Sequence, residues 1–118
     1  MQTLRYVVLR HAETQGAHFD LMFETSPGSM LATWRSDDWP LEFRTELKRL
    51  RDHRRLYLEY EGDIGNQRGT VTRIADGGCE VEIGQDAIWR IRLTSGAPPQ
   101  SLVFRQIAGE QWECEPES

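Results

Sequence analysis

The sequence predicts a mainly β protein, closed as a barrel or packed as a compact sandwich, with one or two short helices. Three observations predict it. Short runs rich in β-branched and aromatic residues recur along the whole chain, each ended by turn residues. One of them, His18-Phe19-Asp20-Leu21-Met22-Phe23-Glu24, alternates with period two throughout. Only one stretch carries apolar residues at helical spacing.

In order, Thr3 to Arg10 reads as a strand through Tyr6, Val7, Val8 and Leu9, and residues 11–17 form a polar connection. In the strand His18 to Glu24, successive side chains face opposite ways. Phe19, Leu21 and Phe23 therefore share one face, and His18, Asp20, Met22 and Glu24 the other. Ser26-Pro27-Gly28-Ser29 turns the chain into a partner strand, Met30 to Trp34. Phe43, Leu47 and Leu50 give the helical stripe and predict a short helix over 41–51, capped near Ser36-Asp37-Asp38. Leu56 to Tyr60 reads as extended and leads into a glycine-punctuated loop, Glu61 to Gly69. Thr70 to Ala75 and Cys79 to Ile83 flank Asp76-Gly77-Gly78, a hairpin signal. Ala87 to Thr94, a turn at Ser95 to Pro99, then Ser101 to Ile107 and Gln111 to Glu115 complete the strands.

The 118 residues fit one domain, 1–118, and 38% hydrophobic content supplies its core. The acidic tail, 113–118, is expected to fray. No apolar run spans a bilayer and no secretory signal opens the chain, so a cytoplasmic protein that does not engage membranes is expected. Cys79 and Cys114 form no Cys-x-x-Cys pair and read as reduced thiols. A formal net charge of −5 argues against general adhesion to nucleic acid. The basic residues nevertheless crowd at Arg44, Lys48, Arg49, Arg51, Arg54 and Arg55, next to His53, where a phosphate could be received.

Two side chains carry metal-ligating chemistry on one strand face, His18 and Asp20, with His11 just past the preceding strand. Imidazole nitrogen and carboxylate oxygen suit Mn²⁺, Zn²⁺ or Fe²⁺. Two histidines and one carboxylate leave coordination positions open, as a catalytic ion requires. A His-x-Asp pair alone is a weak signal, more often a pair of hydrogen-bonded surface residues. His53 lies among cations in Arg51-Asp52-His53-Arg54-Arg55, where it can hydrogen-bond a phosphate, and Tyr57 follows four residues on. Residues 61–70 lack the phosphate-loop pattern, and neither a nucleophile elbow nor a dinucleotide fingerprint occurs.

Four ordered blocks resemble the 3′-phosphoesterase domain of bacterial ATP-dependent DNA ligase D. They are Val7-Val8-Leu9-Arg10-His11, then His18-Phe19-Asp20-Leu21-Met22-Phe23-Glu24, then Asp52-His53 through Tyr57 to Glu61-Gly62, then Arg68-Gly69-Thr70-Val71. The resemblance covers roughly residues 4–93. It implies a compact β-barrel and a hydrolase with manganese as cofactor, Zn²⁺ being the other candidate. The activity implied is DNA repair: removal of a 3′-phosphate or a 3′-ribonucleoside from a nucleic-acid end. Position by position, it makes His11, His18 and Asp20 the metal ligands, His53 the residue on the scissile phosphate and Tyr57 the active-site tyrosine. Arg54, Arg55 and Arg44 are the candidate phosphate-binding cations, and a DNA-repair protein is a further expected partner.

Three departures stand out. The family's arginine two residues past the aspartate is Met22 here, and a thioether gives no charged hydrogen bond. The spacing from His11 to His18 is one residue longer, and Trp34 is followed by Arg35-Ser36-Asp37-Asp38, acidic where a cation is expected. The alternative is thus a relative without catalysis, or with altered specificity, that binds nucleic-acid ends or a partner protein.

Overall fold

A computed structural model describes residues 3–65, 67–96 and 100–117. Among them run nine strands: β1 (Leu4–Glu13), β2 (Gly16–Glu24), β3 (Leu31–Ser36), β4 (Thr45–His53), β5 (Gly62–Asp63), β6 (Thr70–Ile83), β7 (Ile88–Leu93), β8 (Gln100–Ala108) and β9 (Gln111–Glu117). The order β1-β2-β3-β4-β9-β8-β7-β6 closes through a β1–β6 pairing into an eight-stranded antiparallel barrel, and short β5 adds to the free edge of β6. The barrel expected from the resemblance is present. Closure gives every strand of the ring a partner strand on both sides.

Every strand of the ring contributes to one interior. Tyr6 and Val8, Leu21 and Phe23, Trp34, Leu47, Cys79, Ile91, Leu102 and Phe104, Trp112 and Cys114 are all buried in it. The period-two reading of β2 holds: Leu21 and Phe23 point inward, and Met22 points out. Both cysteines are free thiols in this apolar interior, and burial pushes that of Cys79 up to about 12. Cys114 is raised as well, by burial first and by the neighbouring Glu115 second.

The outer wall carries a second, smaller apolar cluster. Val7 and Leu9 of β1, Met22, Leu31 and Val71 are covered from outside by Leu58. Leu58 arrives on a 3-10 turn, Arg55–Leu58, within the long connection between β4 and β6. Buried on both faces, β1 is a near-continuous apolar run, as such strands are.

Four expectations are corrected. Residues 41–51 are not a helix: β4 occupies Thr45–His53, between β3 and β9. The stripe was short and its first member, Phe43, is 77% exposed, so strand pairing outweighs it. Leu56 to Tyr60 is not extended but the end of the 3-10 turn, its backbone N–H groups at Tyr57 and Glu59 donating to Arg54 and Leu56 carbonyls. Asp76-Gly77-Gly78 is no hairpin turn; β6 runs through it. The glycines serve close approach instead, since a Cβ on Gly77 would lie 2.1 Å from the Ser95 carbonyl oxygen. The turn lies at Gly84–Ala87, where Asp86 and Ala87 both take positive φ (61° and 54°) and the Gly84 N–H donates to the Ile88 carbonyl. Finally, Glu113–Glu117 of the tail is strand, paired through Glu113–Arg105 and Glu115–Val103. Ser118, and residues 97–99 of the expected turn, lie outside the described residues.

Candidate metal centre

The β1–β2 hairpin builds the site. Its two strands pair from Tyr6↔Phe23 to Glu13↔Gly16, leaving only Thr14-Gln15 at the tip. The polar connection expected at 11–17 is thus mostly strand, and His11 sits within β1 rather than beyond it. This register sets His11 directly across from His18. Asp20 joins them on the same outward face, two residues from His18 along β2. One ligand atom from each of His11, His18 and Asp20 lies within 4.8 Å of the others. These three residues can hold a metal ion.

The cluster's hydrogen bonds prepare it for that role. His11 Nε2 lies 2.6 Å from the Arg68 carbonyl oxygen. A carbonyl only accepts, so Nε2 carries the proton and Nδ1 presents its lone pair to the cluster. His18 Nε2–H donates to that Nδ1 at 2.9 Å, a proton that passes to His18 Nδ1 in the tautomer that ligates through Nε2, and the Asp20 carboxylate oxygens are 3.7 Å from His11 Nδ1 and 3.8 Å from His18 Nε2. Burial pushes His18 below the ordinary histidine value; Asp20 opposes the shift, while Arg35 and His11 add to it. A neutral imidazole is the form that binds metal. His11 and Asp20 are buried and His18 half-buried, so the donors are sheltered without being sealed. The pattern matches a ligating histidine whose second nitrogen is tied to a backbone carbonyl.

Beside His11 and Asp20 opens a cavity of about 460 Å³. Its floor is apolar, Met22 and Val71, and continues the outer hydrophobic cluster. One wall holds His53 and Tyr57, whose ring centroids are 5.8 Å apart. His53 ends β4, opposite Leu31, and its Nδ1–H donates to the Arg51 carbonyl at 2.8 Å, which leaves Nε2 uncommitted. The structure therefore brings five of the expected site residues together: His11, His18 and Asp20 in the cluster, His53 and Tyr57 on the wall.

The three expected phosphate-binding arginines do not line this cavity. Arg55 is bound to the buried Glu24 carboxylate and donates to the Ser29 carbonyl at 2.9 Å. Arg44 pairs with Glu115 on β9, 3.4 Å away. Arg54 lines an adjoining groove with Lys48, Arg51 and Arg68, which meets the cavity at His53 and Tyr57. Sequence reading missed the cation that is in place, Arg35, whose Nε donates to Asp20 Oδ1 at 3.1 Å. The signal was available: a turn centred on Pro27-Gly28 pairs position 20 with position 35. Glu13, 3.4 Å from His11 Nε2, was missed as well.

No protein-family model and no curated protein matches the chain. Fold and site together define its class: a closed antiparallel barrel bearing, on its outer wall, a His–His–Asp cluster that can hold a metal ion.

Proposed function

We propose that the protein is a metal-dependent phosphoesterase that acts on 3′ ends of nucleic acid, removing a 3′-phosphate or a 3′-ribonucleoside, with Mn²⁺ as its ion. The observation that carries this reading is the sharing of one cavity by His11 and Asp20 of the cluster and by His53, Tyr57 and Arg35. An ion held by His11, His18 and Asp20 supplies Lewis acidity toward a phosphoryl oxygen. His53, with Nδ1–H committed to Arg51, offers Nε2 to the phosphoryl group and when protonated stabilises charge developing there. Tyr57 orients the substrate against His53. The basic groove of Lys48, Arg51 and Arg54 gives the polynucleotide backbone a path out of the cavity.

The first test is a Mn²⁺ titration followed by residue-resolved NMR, then release of phosphate from an oligonucleotide bearing a 3′-phosphate. Signals around His11, His18, Asp20 and His53 are expected to broaden first. The His18→Ala variant is expected to lose more than ~100-fold in Mn²⁺ affinity, because second-shell changes alone cost 10–100-fold. Its fold should persist, since His18 is no part of either apolar cluster. Unchanged Mn²⁺ affinity in that variant would reject the ligand set.

A second reading, a noncatalytic module for nucleic-acid ends or a partner protein, is favoured by one observation. Met22 is 1% exposed on the cavity floor, where it can donate nothing to a phosphate. Turnover of 3′-phosphate ends by the wild-type chain would eliminate that reading.

A further inference from the structure

On β2 the face that presents His18 and Asp20 continues through Met22 to Glu24. Met22 packs into the outer apolar cluster, and Glu24 is occupied by Arg55 at the far end of the strand. The strand that supplies two donors of the metal cluster thus supplies no cation to the cavity.

The next strand does. Register places Arg35 of β3 directly opposite Asp20, and its Nε–H holds Asp20 Oδ1 at 3.1 Å. Among the described residues, that bond is the guanidinium's only protein contact with an acceptor, so its terminal nitrogens keep their N–H groups. The side chain is 33% exposed and lines the cavity that holds His11, Asp20 and His53. The cavity's other arginine is committed elsewhere: Arg68 donates from Nε and Nη2 to the Gly65 and Ile64 carbonyls of its own loop.

We propose that Arg35 is the anion-binding residue of this site, its terminal guanidinium nitrogens holding phosphoryl oxygens beside an ion carried by His11, His18 and Asp20. The inference rests on the phosphoester reading above. Two physical reasons support it. A guanidinium anchored through Nε has already given up much of its rotational freedom, so less is lost when the fork grips an oxyanion. The charges also match: a dication with one carboxylate and two neutral imidazoles carries one net positive charge, Arg35 adds a second, and Glu13 and Arg68, which also line the cavity, offset each other. That sum faces a phosphomonoester, whose charge near neutral pH is about −1.5 to −2. The clamp thus enters from β3 instead of β2, which makes Met22 a floor residue and not a lost function.

The test uses inorganic phosphate as probe and the full chain loaded with Mn²⁺. Broadening of the ³¹P line reports phosphate beside the ion, and the free Mn²⁺ signal in EPR reports metal affinity separately. Arg35→Met, which keeps length and loses charge, is expected to weaken phosphate about tenfold or more. Its Mn²⁺ affinity should hold or rise, because a cation next to the dication is gone. Arg35→Lys, charged but unable to form the fork, should fall between. Wild-type phosphate affinity in Arg35→Met would overturn the inference. So would a parallel loss of Mn²⁺ and phosphate, which would make Arg35 merely a support for Asp20. If the wild-type chain takes up no Mn²⁺, the phosphoesterase reading fails on its own. Phosphate binding by the metal-free chain, followed at the ring resonances of His11 and His53 in the same cavity, then decides: loss in Arg35→Met upholds the anion site and no binding overturns it.

Discussion

The two sides of the barrel wall are built from the same strands and do opposite things. Inside, aromatic rings set the packing: Trp34 lies 4.5 Å from Phe104 and 5.4 Å from Trp112, centroid to centroid, and the Arg49 guanidinium sits 4.4 Å from the Trp34 ring. Outside, six aliphatic side chains form a thin patch under the β4–β6 connection, and the same rows run on into polar chemistry. On β1 the outward sequence is Val7, Leu9, His11; on β2, read backwards, it is Met22, Asp20, His18. The interior makes the protein fold. The outer patch has a different task, to clamp a connection whose Arg68 carbonyl orients His11. The cluster that can hold a metal ion adjoins the smaller of the two cores.

That difference can be broken at either core. Trp34 is fully buried among four aromatic neighbours, and Trp34→Ala is expected to cost about 3–5 kcal/mol of global stability, enough to threaten the fold. Leu58→Ala removes the side chain that closes the outer patch, at a cost of about 2–4 kcal/mol. The second loss should fall on local opening of the connection before it reaches the barrel. Hydrogen exchange decides: Leu58→Ala should speed exchange around residues 55–65 while β7, β8 and β9 stay protected. Equal acceleration everywhere would mean that the two cores are one cooperative unit.

A smaller change sharpens the link between connection and cluster. Gly69 has φ +97°, and a Cβ there would lie 2.1 Å from the Ala12 carbonyl oxygen. Gly69→Ala must therefore shift the chain next to Arg68, and with it the carbonyl that holds His11 Nε2–H. The expected result is a ~10–100-fold loss of metal affinity, the range for disturbed second-shell partners, with the barrel intact by near-UV circular dichroism. Retained affinity would show that His11 keeps its orientation without Arg68.

The same contrast explains what was legible beforehand. Period-two alternation showed the inward face of β2 and put His18 and Asp20 together, because one buried face is a strong constraint on a strand. β4 was misread because Leu47 and Leu50 fit a helical spacing as well as a strand; only pairing with β3 and β9 decides between them. Gly77-Gly78 looked like a turn because close backbone approach and tight turning favour the same residue. Arg35 is missed for a related reason: it lies 15 positions from Asp20, and its place follows from the register that the turn at Pro27-Gly28 sets, not from spacing along the chain. Arg44 and Arg55 carry charge and lie near His53 in sequence, but each is consumed by a carboxylate, Glu115 and Glu24.

The smallest expected effect concerns the root of the connection, at the other end of β2 from the metal cluster. Glu24 is buried on the outer face and accepts from the Arg5 backbone N–H at 2.7 Å, from the Gly28 N–H at 3.3 Å and from Arg55. Burial alone would raise its carboxyl, but the hydrogen bond from Arg55 and those from Arg5 and Gly28 outweigh it and hold it below the ordinary value of 4.5. The sign follows from linkage. With a lowered folded value, Glu24 stabilises fully above about pH 4.5, and its contribution is lost as pH falls through the folded value. Arg55 is 39% exposed, which weakens the pair, so the contribution is on the order of 1–2 kcal/mol. Glu24→Gln should lower stability by about that much at neutral pH and flatten the acid limb of the stability profile, measured by urea unfolding. Because Arg55 begins the 3-10 turn, acid should also loosen the connection before the barrel melts, visible as early exchange around residues 55–58 in the wild type. If Glu24→Gln and wild type lose stability in parallel below pH 4.5, the connection is not anchored at its root, and the outer patch alone holds it.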